Sequence, residues 1–263
     1  MPKISVLMGV YNNADTLRES MESVLSQTFA DFEFIIYDDA SSDGSLEIIK
    51  AYGETDGRIC VLHGDANRGL AYALNRCLEA AHGEYCARMD GDDLCDSTRF
   101  EKQSAFLDGH PEYGFVSTTM KRFDEKGVYS VPPAGSGYSP DVRAFVSGSP
   151  FCHAPVMIRR SAYEAVEGYR DIEKTRGVED YDLWFRLYAA GIRGYIMQEP
   201  LYSMFDGRGA AHRRTMRRRI NEAWVRKQGY AALRVPMPLR IYILKPVLLG
   251  LIPQWLYRLM RKV

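Results

Sequence analysis

The chain has 263 residues, 46% hydrophobic and 26% charged, a globular balance that excludes a disordered or fibrous protein and suffices for one large α/β domain or two small ones. Its formal net charge of zero hides an asymmetry, because residues 213–263 carry 13 Lys and Arg against the single acid Glu222, while residues 1–212 carry 33 acids and 21 bases. Five cysteines, Cys60, Cys77, Cys86, Cys95 and Cys152, contain no C-x-x-C pair and are odd in number, which argues against a disulfide framework and for a reducing, cytoplasmic setting.

The apolar run at 4–8 is too short for a signal-peptide core and predicts a first buried strand. A turn at Tyr11-Asn12-Asn13 follows, and then Leu17, Met21, Val24 and Leu25 recur at helical spacing. Residues 32–37 predict a second strand ending at Asp38-Asp39, and Ser41-Ser42-Asp43-Gly44-Ser45 is cap chemistry ahead of a helix with Leu46, Ile48 and Ile49. A third strand is expected at 59–62, a third helix at 69–81 and a fourth strand at 85–89 that runs into Asp90. Alternating strands and helices predict an α/β fold with a mostly parallel central sheet flanked by helices. Ligands of such sheets gather outside the carboxyl ends of the strands, where three polar clusters fall: residues 9–13, Asp38-Asp39, and Asp90-Gly91-Asp92-Asp93. Beyond residue 95 the pattern loosens, with helices expected at 98–107 and near 181–190 around a Gly, Ser and Pro-rich stretch at 132–140.

A strand ending in Asp-x-Asp-Asp offers carboxylates at one mouth of the sheet, since side chains two apart project the same way in extended chain. Mg²⁺ and Mn²⁺ take one or two carboxylates together with water and phosphate oxygens, so the turn suits an ion that carries a diphosphate. By itself the turn reads more simply as the cap of a helix beginning near Asp96 or Ser97.

The motifs taken together resemble glycosyltransferase family 2. The resemblance runs through 4–12, Ser23-Val24-Leu25-Ser26-Gln27-Thr28, residues 35–45, Asn67-Arg68-Gly69, Leu74-Asn75, Gly83-Glu84-Tyr85 and Met89-Asp90-Gly91-Asp92-Asp93. It continues through Pro150-Phe151-Cys152-His153, Met157-Ile158-Arg159-Arg160, Gly168-Tyr169 and 179–186, covering roughly the first 205 residues. It implies a GT-A fold over 1–212, with a nucleotide-sugar half at 1–95 and an acceptor half at 96–212, and inversion at the anomeric carbon. It places Tyr11, beside Val10, against the nucleotide base and Asp39 on the base edge, with Asn67, Arg68 and Gly91 in the donor site. A carboxylate only accepts hydrogen bonds, so Asp39 suits the imide N–H of uracil or thymine or the N1–H of guanine, and a UDP-sugar is the first choice. The resemblance makes Asp92 the main ligand of Mn²⁺ or Mg²⁺ and sets Asp90 toward ribose and metal. Asp93 stays open between orienting metal waters or Arg68 and beginning the next loop.

Inversion by single displacement needs a base opposite the leaving group, and the resemblance assigns it to Asp180 in the pair Glu179-Asp180 at a helix start. Without the motif, a helix-capping acid is the simpler reading of Asp180. Trp184 is either a wall for the acceptor or core, and His153 an acceptor-side residue or a structural hydrogen-bonder. A loop beginning Asp206-Gly207 places Arg208, His212 and Arg213 where they would close over the diphosphate. The Gln-x-x-Arg-Trp motif of processive members is absent, so one sugar per encounter is expected.

Residues 213–263 form a basic amphipathic helical tail whose apolar run 241–257 is broken by Lys245, Pro246 and Pro253, short of the ~20 residues a spanning helix needs. Contact with the inner face of a cytoplasmic membrane, and so a lipid-linked glycan acceptor, stands against a packing or oligomerisation helix; no nucleic acid is expected. Two rival functions follow from the same fold. A sugar nucleotidyltransferase should carry a Gly-rich phosphate loop, which Gly9-Val10-Tyr11-Asn12 is not, and an inactive nucleotide-sugar- or carbohydrate-binding protein should have lost an acid that is present here.

Overall fold

The computed structural model describes residues 1–206 and 215–251. Its first half alternates strictly: β1 (Ile4–Val10), α1 (Ala14–Leu25), β2 (Phe32–Asp38), α2 (Ser45–Thr55), β3 (Ile59–His63), α3 (Leu70–Ala80) and β4 (Tyr85–Asp90). The second half adds β5 (Leu94–Cys95), α4 (Arg99–Gly109), β6 (Tyr113–Asp124), β7 (Gly127–Ser130), α5 (Ala144–Ser147), β8 (Met157–Arg159), α6 (Arg160–Ala165), α7 (Glu179–Ala189) and β9 (Arg193–Phe205). Two further helices close the described chain, α8 (Met216–Ala232) and α9 (Lys245–Leu251).

One sheet runs in the order β3-β2-β1-β4-β8-β6-β9-β5, with β7 paired to β6. Relative to β1, strands β2, β3, β4, β6 and β9 are parallel, whereas β5, β7 and β8 run the other way. The mostly parallel sheet expected from the alternation is therefore present, with β8 wedged antiparallel between the two parallel groups.

Both faces are covered, which is why the strand sequences read as near-continuous apolar runs. Ile4, Val6, Met8 and Val10 of β1 pack with Leu17, Met21 and Val24 of α1 and Phe100 of α4, while Leu7 packs with Leu74 and Cys77 of α3 on the other face. At Gly9 an added Cβ would stand 3.0 Å from the Ala73 Cβ, so α3 lies close against the carboxyl end of β1. Strands β1, β2 and β4 are parallel and end together, which gathers Val10, Asp38 and Asp90 at one mouth.

The segment expected as a basic tail from residue 213 divides in two. Helix α8 packs on α7 and places Val225 and Tyr230 in the core, with Val235 just beyond it. Arg226 is buried there, its Nη1 donating to the Val146 carbonyl at 2.9 Å and the Tyr230 hydroxyl at 3.0 Å and its Nη2 pairing with Glu222 at 2.9 Å. Residues 237–251 instead leave Met237, Ile241, Leu244, Leu248 and Leu251 exposed. The α7–α8 contact makes a firm expectation. A Cβ on Gly229 would collide with the Phe185 ring, so Gly229→Ala should lower stability by about 1–3 kcal/mol through overpacking, despite the ~1 kcal/mol that alanine gains in a helix. Urea denaturation checks it, and an unchanged or higher midpoint would show that the two helices do not pack closely.

Candidate active site

The metal-type turn leaves β4 at Asp90. Asp90, Asp92 and Asp93 each place a carboxylate oxygen so that the three lie within 4.8 Å of one another. Three acids this close repel in the absence of a cation. Asp93, 2% exposed, shows the result: burial, then the charges of Asp90 and Asp92, push its carboxyl up to about 8. Its Oδ1 accepts the Phe205 N–H at 2.7 Å, and the Tyr202 hydroxyl accepts the Asp90 N–H at 3.2 Å, so β9 braces the turn from behind. Of the openings left for Asp93, an Arg68 contact finds no support, because Arg68 faces Tyr72 and Asp171 instead. Hard oxygen donors on a half-exposed turn fit Mn²⁺ or Mg²⁺, which keep water and phosphate oxygens in their shell.

Asp90 has a partner that sequence patterning did not single out. Arg88, on the same strand, is 2% exposed and forks onto both Asp90 oxygens, at 2.8 and 2.6 Å. Burial opposes its charge, but Asp90 outweighs that and the guanidinium is held more firmly protonated than usual.

The loops that follow β1 and β2 are stitched to one another. The Asn12 N–H donates to Ser41 Oγ at 3.0 Å, and the Asn12 side chain accepts from the Ser42 N–H at 2.9 Å. Tyr11 stands exposed on this rim, beside the buried Val10. Asp39 is buried beneath the loop before α3: its oxygens accept the Arg68 N–H at 3.0 Å and the Gly69 N–H at 2.6 Å. Gly69 takes a φ of +95°, in the region that favours glycine, and this lets the loop present both N–H groups at the start of α3. Asn67 and Arg68 are exposed on that loop, the Arg68 guanidinium lying 3.7 Å from the Tyr72 ring centroid.

In the second half of the chain, Glu179 and Asp180 open α7. Burial raises both carboxyls above the ordinary range; the Asp180 charge adds to the shift on Glu179, and the Tyr181 N–H, Arg218 and Arg88 partly offset the shift on Asp180. Arg218 belongs to α8, its aliphatic stem packed over Gly177, so the basic C-terminal segment reaches this corner of the site. The next acid on the helix has a different role. Asp182 is buried and paired with Arg170 at 2.9 Å and Arg186 at 2.7 Å, which anchors α7.

His153 donates to or accepts from the Tyr169 hydroxyl across 2.7 Å, and Tyr169 meets the Tyr163 hydroxyl at 2.9 Å. Burial, then Arg88, lowers its pKa well below the usual value, so the ring is neutral at pH 7. Trp184 is fully buried and stacked on Phe115 at 5.0 Å, with His153 edge-on at 6.1 Å; it supports the site from behind and lines no surface. The charges of Asp180, Arg88 and Asp90 all act on the Cys152 thiol, which burial pushes up to about 12. Arg88, paired with Asp90, also acts electrostatically on Glu179 and Asp180, so the two acidic centres, 90 residues apart in sequence, lie within electrostatic reach of one guanidinium. Arg208, His212 and Arg213 lie outside the described residues.

Known proteins resemble this chain in sequence and in fold. The family model described as glycosyl transferase family 2 matches residues 5–167. EpsE of Bacillus subtilis (strain 168), named as a glycosyltransferase, is 44% identical over 253 residues, 96% of this chain and 90% of its own length. The UDP-Glc:alpha-D-GlcNAc-diphosphoundecaprenol beta-1,3-glucosyltransferase WfaP of Escherichia coli is 30% identical over 195 residues, 73% of each chain. Among solved structures, S. aureus TarS 1-349 in complex with UDP superposes with a TM-score of 0.70 at 18% identity, covering 95% of this chain and 70% of that 1-349 chain. With the GT-A architecture in place and the family's motifs carried on its strand ends, the chain belongs to glycosyl transferase family 2.

Proposed function

We propose that this glycosyltransferase inverts the anomeric centre as it moves one sugar from a nucleoside diphosphate, UDP by preference, to a hydroxyl of a glycan or lipid-linked glycan acceptor. Bacterial surface polysaccharide or glycolipid synthesis is the setting this reading suits. The observation that carries it is the cluster of three carboxylates, Asp90, Asp92 and Asp93, at the carboxyl end of β4, where the Arg88 that forks onto Asp90 also acts electrostatically on the Glu179-Asp180 pair.

Tyr11 offers an exposed ring to the face of the base, and Asp39 has acceptor capacity for an imide N–H while it holds the Arg68-Gly69 backbone. Asn67 and Arg68 extend from that loop toward the donor. Asp92 and Asp90 would hold Mn²⁺ or Mg²⁺, whose chemistry is to neutralise charge on the departing diphosphate. Asp180 takes the proton of the attacking hydroxyl, and its raised pKa strengthens it as a base near neutral pH. In this reading residues 1–95 bind the donor and 96–212 the acceptor. Mass spectrometry after incubation with UDP-, GDP- and dTDP-sugars and an undecaprenyl-diphosphate-linked acceptor tests it. Sugar addition from a UDP-sugar is expected; neither transfer nor donor hydrolysis with any of them would contradict it.

The acceptor reading extends to the membrane surface. No helix among the described residues is long and apolar enough to cross a bilayer. The segment 237–251 nevertheless exposes Ile241 at 70% and Leu251 at 68%, next to Arg240 and Lys245, a combination suited to lying in an anionic interface. WfaP, by its name, takes an undecaprenol-linked acceptor. The full chain should sediment with vesicles containing phosphatidylglycerol and not with pure phosphatidylcholine, and Ile241→Ser with Leu248→Ser should reduce this at least about tenfold. Equal sedimentation of wild type and double variant would rule out this face.

A further inference from the structure

Arg88 stands two residues before Asp90 on β4, so in extended chain the two side chains project the same way. Removing a guanidinium from water costs several kcal/mol unless it is paired, and here Asp90 supplies the pairing through both oxygens. The Arg88 Nε is buried without a hydrogen-bond partner. Behind it, the Arg88 carbonyl accepts from a second buried guanidinium, Arg99 Nη2, at 2.9 Å, which fixes the backbone on which the fork is built.

An ion approaching this turn therefore meets acids that are partly committed. Asp90 is engaged by Arg88 and Asp93 by the Phe205 N–H. We infer that Arg88 is a positioning residue: it holds Asp90 in place as an internal cation and, by competing for that carboxylate, keeps the turn from binding a divalent ion tightly on its own. Tight binding then requires the donor's diphosphate, which brings further oxygen ligands and negative charge. This rests on the reading of the turn as a metal site.

Electron paramagnetic resonance of Mn²⁺, whose aqueous signal is lost on binding, tests the inference with no nucleotide present. Arg88→Gln should raise nucleotide-free Mn²⁺ affinity about tenfold, within the usual range of coupling between neighbouring sites, and Arg88→Lys should give a smaller rise because a point charge remains while the fork is lost. A purely structural arginine would leave that affinity unchanged or lower it. Unchanged or weaker binding in a folded Arg88→Gln protein overturns the inference. Should that variant fail to fold, Arg88→Lys decides, since no rise there overturns it equally. Wild type that fails to take up Mn²⁺ even with UDP would instead remove the metal-site reading, so the two failures are distinct.

Discussion

Asp180→Asn should keep UDP affinity within about twofold of wild type and lose transfer by about 10³- to 10⁴-fold, the scale of a positioned general base. The substitution keeps size and shape at the start of α7 and removes only the ability to accept a proton. Glu179 beside it does not substitute, because its own carboxyl is held in the protonated direction by burial and by the Asp180 charge. The pH profile carries a second sign. Asp180 acts as a base only when ionised, and burial raises its pKa, so wild-type turnover should fall as pH drops through a value above the ordinary aspartate range. Glu179 and the cations Arg88 and Arg218 share that environment and set where the limb lies. Retained transfer in Asp180→Asn would mean that another residue takes the proton.

Asp92→Asn should abolish the Mn²⁺-dependent part of UDP binding and cut turnover by at least about 10²-fold, since charge on the leaving diphosphate is then left uncompensated. The contrast with Asp93→Asn sharpens the point. Asp93 spends an oxygen on the Phe205 N–H, an acceptor role that asparagine keeps, so this variant should retain more than about a tenth of wild-type turnover. Equal losses from the two variants would show that the turn acts as one undivided cluster.

The first half was legible because β1 and β2 are buried on both faces, and near-continuous apolar runs reveal such strands. Strand ends then located Val10, Asp38-Asp39 and Asp90 without any knowledge of contacts. In the second half the helices expected at 98–107 and near 181–190 are present as α4 and α7, but the strands were not legible. β6 carries Ser117, Thr118 and Thr119 with register shifts beside them, β8 has only three residues, and β9 contains Pro200. None of these gives a clean period. Tyr202 and Phe205 brace the turn from a distance of 112 residues in sequence, a contact that no local pattern announces. Arg88 is a different case: a charge inside the apolar run 85–89 was visible and asked for a buried partner. Asp39 combines both lessons. Its place at the end of β2 followed from the pattern, but its hold on the Arg68 and Gly69 backbone depends on the loop before α3 folding back over it.

The proposed activity depends on a nucleotide site completed by a divalent ion on the Asp90–Asp93 turn. Titration calorimetry of the full chain with UDP, GDP and dTDP, each with and without Mn²⁺, tests it most directly. Binding of UDP in preference to the others, at least about tenfold tighter with Mn²⁺ than without, is the expected result; no nucleotide binding in the presence of the ion, or UDP binding indifferent to it, would contradict the claim.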